Sequence, residues 1–331
     1  MGARVEVDAE GSPRIDVKSE VARRIIDAMK ACDEPWRRPW DGAALCPVNS
    51  ATGNGYKGIN RILLSLSGRP SNEWATYRQA AERGWQVRSG ERGTMIVKLV
   101  EVGANEPADA RGPGDGALDA SVSDASSKRF ALRRYYVFNA SQIEGMPQPA
   151  PREAREFEPA RRAEAIVESF KSDTGLKFEH QGMQAFYSPQ SDVVRLPPKE
   201  LFHSRYDYWA TALHECAHST MHPSRLDRAE AYAKRWGDEA YAMEELTAEL
   251  ASAIACAEAG IQGTHANGIG HASYLNAWVK VLERDPMAIF TAAKAAERVS
   301  DYMLSLELRR SATSEHKEWV AEYERGATFS S

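Results

Sequence analysis

A chain of 331 residues is long enough for two ordinary domains, each with a core of its own. It is 43% hydrophobic and 27% charged, as a soluble globular protein is, and no apolar run approaches the ~20 residues that span a bilayer. The net charge of −5 conceals an asymmetry: residues 13–100 carry 15 Lys/Arg against 9 Asp/Glu and 128–148 carry 4 against 1, whereas 149–331 carry 21 against 28.

The basic front half is therefore the part expected to meet a polyanion. Residues 17–32, VKSEVARRIIDAMKAC, read as an amphipathic helix with Val21, Ile25, Ile26 and Met29 on one face. PWRRPW follows as an extended or turning segment, and NSATGNGYKGIN is rich in turns. INRILLSLSG and NEWATYRQAAERG are expected to be helices that end at glycine. GTMIVKLVEV and RFALRRYYVFNASQI alternate as paired strands do. Between them, residues 103–127 are acidic and offer almost nothing to bury, and the expectation is a disordered hairpin loop.

The proline-rich, charged run MPQPAPREAREFEP makes the best domain boundary. The expected organisation is a first domain over 13–148, a linker over 149–158, a second domain over 159–310 and a tail over 311–331. In the second domain RRAEAIVESFKSDTG reads as a helix, and FEHQGMQAFYSPQSDVVRLPP as two short strands closed by prolines. YDYWATALHECAHSTMH is expected to be a helix with Tyr208, Ala212 and Cys216 facing inward. EAYAMEELTAELASAIACAEAGI is another, capped by Gly260, and the remainder gives two more helices broken near Pro286. The fold class is α+β in both halves. The four scattered cysteines form no C-x-x-C pair, and MGARVEVDAEGSPR lacks a signal-peptide core. Reduced thiols, a cytoplasmic location and no membrane partner are expected.

The stretch HECAHSTMH carries the most specific chemistry. Residues i and i+4 share one helix face, so His214 and His218 can hold one ion between two imidazoles. Glu215 follows the first ligand, placed to take a proton from a water rather than to touch the metal. Such a site needs a third ligand, and EELTAEL supplies carboxylates after an intervening loop. Glu245 and Glu249 again stand at i and i+4, with Glu244 turned about 100° away. Glu245 is expected as the third ligand and Glu249 as the group orienting an imidazole. His222 continues the series but precedes Pro223, and is expected to support the site or cap the turn. One Zn2+ is the expected ion, another divalent metal being possible in its place.

The front half interleaves cations with aromatics: Trp36, Arg37, Arg38, Trp40, Tyr56 and Lys57, then Arg61, Trp74, Tyr77, Arg78, Trp85 and Arg88. Exposed rings among cations suit single-stranded nucleic acid without sequence preference, since bases stack on rings while phosphates meet Lys and Arg. The same composition would also serve a small core of tryptophans beneath a solvated surface; the polarity around Trp36 and Trp40 favours binding.

PWRRPW, PVNSATGNGYKGIN, WATYRQAAERGWQVRSGERGTMIV and YYVFNASQIEGMP resemble the N-terminal single-stranded-DNA-binding domain of ArdC-type antirestriction proteins. A related domain stands at the front of some plasmid-encoded primases. AFYSPQSDVVRLPP, ALHECAHSTMHPSRLDR, YAMEELTAEL and HASYLNAWVKVLERDPMAIF resemble the zincin-type metallopeptidase domain that follows it in that family. The resemblance implies a protein of a plasmid, phage or other mobile element that protects incoming DNA from host restriction. It matches His214, His218 and Glu245 to the zincin ligands and Glu215 to the general base. It also places Tyr187 in the strand that lies beside a zincin active site and can pair with an extended peptide. A zinc protease tethered to DNA, cleaving a DNA-bound protein, is the alternative. Cys216 stands where the family more often has an aliphatic residue, and the acidic insertion 103–127 is peculiar to this chain.

Overall fold

The computed structural model describes residues 16–31, 46–102, 129–147, 158–229, 239–261 and 271–327. The chain divides into two compact units, one of Met1–Arg152 with His271–Ala293, the other of Glu153–Gly270 with Lys294–Ser331. Both mix helix and sheet, so the α+β class holds. The acidic insertion, the PWRRPW segment and all but one residue of the 149–158 linker lie outside the described residues. No described helix is long and apolar enough to cross a membrane.

In the first unit, helix α1 (Val17–Lys30) starts where the Asp16 carboxylate accepts from the Ser19 N–H. Its buried stripe is the expected one, Val21, Ile25, Ile26 and Met29 with Val17. After β1 (Val48–Asn49) and α2 (Ile59–Ser65), the stretch NEWATYRQAAERG divides rather than forming one helix. Glu73–Ala75 is strand β2, because Trp74 and Ala75 pair with Asn139 and Phe138. Helix α3 (Tyr77–Glu82) begins only after Thr76, whose hydroxyl accepts from the Gln79 N–H while the Gln79 side chain accepts from the Thr76 N–H. Strand β3 (Gln86–Val87) pairs with β6 (Ile143–Glu144). The long hairpin is as expected: β4 (Thr94–Val102) and β5 (Arg129–Asn139) run antiparallel from Thr94↔Val137 to Val102↔Arg129. The main sheet has the order β1-β2-β5-β4.

The second unit opens with α4 (Glu158–Thr174) and a three-stranded sheet, where the sequence promised two strands. β7 (Lys177–His180) lies parallel to β9 (Val193–Leu196), and β8 (Phe186–Ser188) antiparallel to it, giving the order β7-β9-β8. The third strand was hidden because its partner is met only after the β8 excursion. Helix α5 (Arg205–Ser219) buries Tyr208, Ala212 and Cys216 as expected and packs on α4 and on α6 (Ala240–Ala259), which ends at Gly260 with φ 78°. Helices α7 (His271–Arg284) and α8 (Ala288–Ala327) flank Pro286. The buried Trp278, Val281 and Leu282 lie on α7, which belongs to the first unit and packs there against α1, with Lys30 Nζ 3.1 Å from Glu283 Oε1.

Candidate functional site

Helical spacing brings the donors together. His214 and His218 lie one turn apart on α5, and their Nε2 atoms are 3.0 Å from each other. From α6, Glu245 sets Oε2 3.6 Å from His214 Nε2 and Oε1 3.5 Å from His218 Nε2. One ligand atom from each residue falls within 4.8 Å of the other two. Donors at about 2.0–2.2 Å around a tetrahedral ion sit roughly 3.3–3.5 Å apart, so the set fits a small divalent cation with one position left open.

The other side of each imidazole is also occupied. Glu249 Oε2 lies 3.5 Å from His214 Nδ1. For His218 the partner is Glu244, with Oε1 3.3 Å from Nδ1. With both Nδ1 protons drawn to carboxylates, both Nε2 lone pairs turn toward the shared point. Glu244 is held in turn by Arg228, whose Nη1 donates to Oε2 and whose Nη2 donates to Oε1 at 2.7 Å. The same guanidinium reaches Ala217 O at 2.9 Å and Thr220 Oγ1 at 3.1 Å, and the whole pair is buried. The sequence reading set Glu244 aside as turned away from the site, whereas its carboxylate meets the far nitrogen of His218, and Arg228 did not figure in it. The adjacent-carboxylate pattern E-E in EELTAEL was the available signal for the first; nothing local marks the second.

Glu215 is 3% exposed. Burial pushes its carboxyl above the ordinary range against the pull of His214 and His218, and the Tyr187 backbone N–H donates to it. Tyr187 is on β8, an edge strand of its sheet, next to α5. Its hydroxyl donates to Asp192 Oδ1 at 2.8 Å, and Arg225 clamps the same carboxylate through Nη1 at 2.7 Å and Nη2 at 2.8 Å. Asp192 sits at φ 50°, a left-handed conformation that aspartate tolerates better than most residues. The loop after α5 therefore braces both sides: Arg225 fixes the β8–β9 turn and Arg228 fixes the carboxylate behind His218. His222 does not join the donor cluster; its Nδ1 accepts from the Ser224 N–H at 3.2 Å and caps the turn.

The charges at the donor cluster are strongly perturbed. Burial opposes a proton on either imidazole, but hydrogen bonds from His214 to Glu245 and Glu249, and from His218 to Glu244 and Glu245, outweigh it and raise both pKa values. Glu245, for which burial acts upward, is held far below the usual carboxylate range by the two histidines. A divalent ion must displace protons held above the ordinary histidine range. Two unperturbed histidines would release only about 0.2 proton at pH 7.5. Here metal uptake at that pH is expected to release about one proton or more, and apparent affinity is expected to rise as pH increases from 6 to 9. Titration calorimetry in buffers of different ionisation enthalpy reads the proton count, and release near 0.2 would contradict the cluster's charge state.

The aromatic–cationic residues of the first unit scatter. Trp36, Arg37, Arg38 and Trp40 lie outside the described residues. Trp74 is 1% exposed, packed with Leu64 and Val137, and so builds the core instead of presenting a ring. Arg61 is likewise buried, and Tyr56 packs on that cluster with its hydroxyl accepting from Asn49 Nδ2 at 2.9 Å. Trp85 is half-buried beneath the Arg83 guanidinium, 5.7 Å from its ring centre. Lys57, Tyr77, Arg78 and Arg88 are exposed, the two arginines bonded to Glu82 and Glu91.

Comparison with known proteins assigns both units. A family model for the N-terminal domain of anti-restriction factor ArdC matches residues 15–138, and one for a zincin-like metallopeptidase matches 165–295. Two DNA primases TraC of Escherichia coli are 40% and 38% identical over 88% and 92% of this chain, which spans only 27% and 21% of their length. The uncharacterized protein y4eC of Sinorhizobium fredii is 36% identical over 87% of this chain and 91% of its own. The metal-free and Mn(II)-bound crystal structures of antirestriction ArdC protein from the R388 plasmid are both 33% identical, with TM-scores of 0.68 and 0.65. They match 89% and 88% of this chain against 99% and 98% of theirs. An ArdC-type N-terminal domain and a zincin-like domain, in that order and over the full length of a solved relative, place this chain in the ArdC antirestriction family.

Proposed function

We propose that the chain is an antirestriction protein of a mobile element that binds single-stranded DNA through its first unit and holds one zinc ion in its second. The observation that carries the reading is the likeness to antirestriction ArdC across 99% of that protein's length, with the donor triad of His214, His218 and Glu245 assembled. The basic excess of residues 13–100 and 128–148 supports the DNA role, because phosphates supply most of the affinity in non-specific binding. In the second unit His214, His218 and Glu245 would hold the ion, which would supply Lewis acidity toward a peptide carbonyl. Glu215 would take the proton from the attacking water, a role suited to a carboxyl whose pKa burial has raised. The edge of β8 at Tyr187 would align an extended peptide beside Glu215.

The test is equilibrium binding of labelled single- and double-stranded DNA of matched length across a salt series, with metal-loaded and chelator-stripped protein in parallel. A single-strand preference with a steep salt dependence is expected in both preparations. Weak binding regardless of strand or salt would overturn it. A second reading, a protease brought to DNA to cleave a bound protein, is favoured by one feature: a buried carboxylate beside an open metal position has no structural use.

A further inference from the structure

We infer that Tyr77, Phe138 and Tyr136 form the base-stacking platform of the first unit, with Arg78 and Arg92 flanking it for the phosphates; this rests on the reading that the first unit binds single-stranded DNA. The local fold builds the platform. Ala75 pairs with Phe138 across the sheet, and Thr76 then caps α3, so Tyr77 emerges as the first helical residue above that ring. The two rings meet edge to face, 6.3 Å between centres and 66° between planes. Phe138 is the anchor: it packs on the buried cluster of Ala75, Ala80, Val87, Ala140, Ile143 and Met146. Tyr136 lies two residues earlier on β5 and so on the same face, about 7 Å along the strand.

Beside them, just before β4, stands Gly93. A β-carbon there would lie 3.0 Å from Tyr136 Cβ and 3.3 Å from Phe138 Cζ, so any larger residue would press on both side chains, which glycine leaves undisturbed. The outcome is two tyrosines, 58% and 42% exposed, beside a phenylalanine anchored on the core. Rings offered in this way suit the faces of unstacked bases, which a duplex hides. The charges agree. Arg78 follows Tyr77 and is fully exposed apart from its bond to Glu82, and Arg92, next to Gly93, is exposed and makes no ion pair among the described residues. The platform is not the set that composition picked out: it drops the buried Trp74 and adds two β5 residues that had passed for strand pattern.

Tyr77→Ala and Tyr136→Ala, singly and together in the full-length chain, test it against labelled single-stranded DNA. Each is expected to weaken binding by roughly fivefold to 150-fold, with the salt slope unchanged because no phosphate contact is lost. Arg92→Ala should instead lower the slope by about 0.7. Tyr→Phe at both positions keeps the rings and is expected to keep the affinity, which separates stacking from a damaged fold. If wild type binds single strands and the double Tyr→Ala variant binds equally well, the platform is wrong while the DNA-binding reading survives. Tighter binding by that variant would mean that the rings obstruct the DNA, which also overturns the platform. If wild type itself fails to bind, it is the DNA-binding reading that has failed.

Discussion

Glu215→Gln is expected to cut any peptide hydrolysis by at least about 10²- to 10⁴-fold while leaving the proposed metal and single-stranded DNA binding as they are in wild type. The substitution keeps volume and shape, and the glutamine carbonyl can still accept the Tyr187 N–H that meets the native carboxylate. What it removes is a proton acceptor at the position next to His214. The fold should not suffer. Burial raises the pKa of Glu215, so the charged form is disfavoured in the native state. A carboxylate raised in this way costs stability as pH climbs from the ordinary glutamate value through the folded one, and glutamine carries no such cost. The variant should therefore melt no lower than wild type near neutral pH, with any gap in its favour shrinking toward pH 4. Peptide-library cleavage, metal content, DNA affinity and melting are measured on the same preparations. Protection of incoming DNA in cells then separates the two functional readings: protection retained by Glu215→Gln supports binding as the operative activity, and protection lost supports proteolysis. Hydrolysis that persists at the wild-type rate would remove Glu215 from the chemistry.

The parts of this site that were legible in the sequence are those set by a single helix. His214 with His218, and Glu245 with Glu249, are one turn apart, and helical geometry alone puts each pair on one face. What the sequence could not give is how α6 crosses α5. Glu244 and Glu245 point in different directions, yet they serve the two nitrogens of the same imidazole, because His218 stands between them. Arg228 was out of reach for the same reason, since its partners are an α5 carbonyl and an α6 carboxylate. In the first unit the long hairpin followed from alternation, but β2 is three residues long and reads as the start of a helix. The T-Y-R-Q capping box at Thr76 was the signal that would have set that boundary. Trp74 shows the limit of composition: a tryptophan among arginines has the same letters whether its ring is buried or offered to a ligand, and only the pairing of β2 with β5 decides.

The brace behind His218 makes the other large prediction. Arg228→Ala leaves the Glu244 carboxylate buried without its guanidinium, a loss that typically costs about 3–5 kcal/mol, and melting should fall by on the order of 10 °C. Glu244→Gln is expected to act differently. It weakens the acceptor on His218 Nδ1 and should lower metal affinity about 10- to 100-fold, read by competition with a chromophoric chelator. A purely structural role for the pair and a role in holding the ligand then diverge in the double variant Arg228→Met/Glu244→Met. Replacing both partners of a buried ion pair with apolar groups of similar size is often nearly neutral for stability, so melting should recover toward wild type. Metal affinity should not recover, because His218 still lacks the carboxylate that fixes its ring and directs its Nε2 to the shared point. Recovery of both would reduce Arg228 and Glu244 to packing. Recovery of stability alone would make them the part of the second unit that turns a helical histidine into a metal ligand.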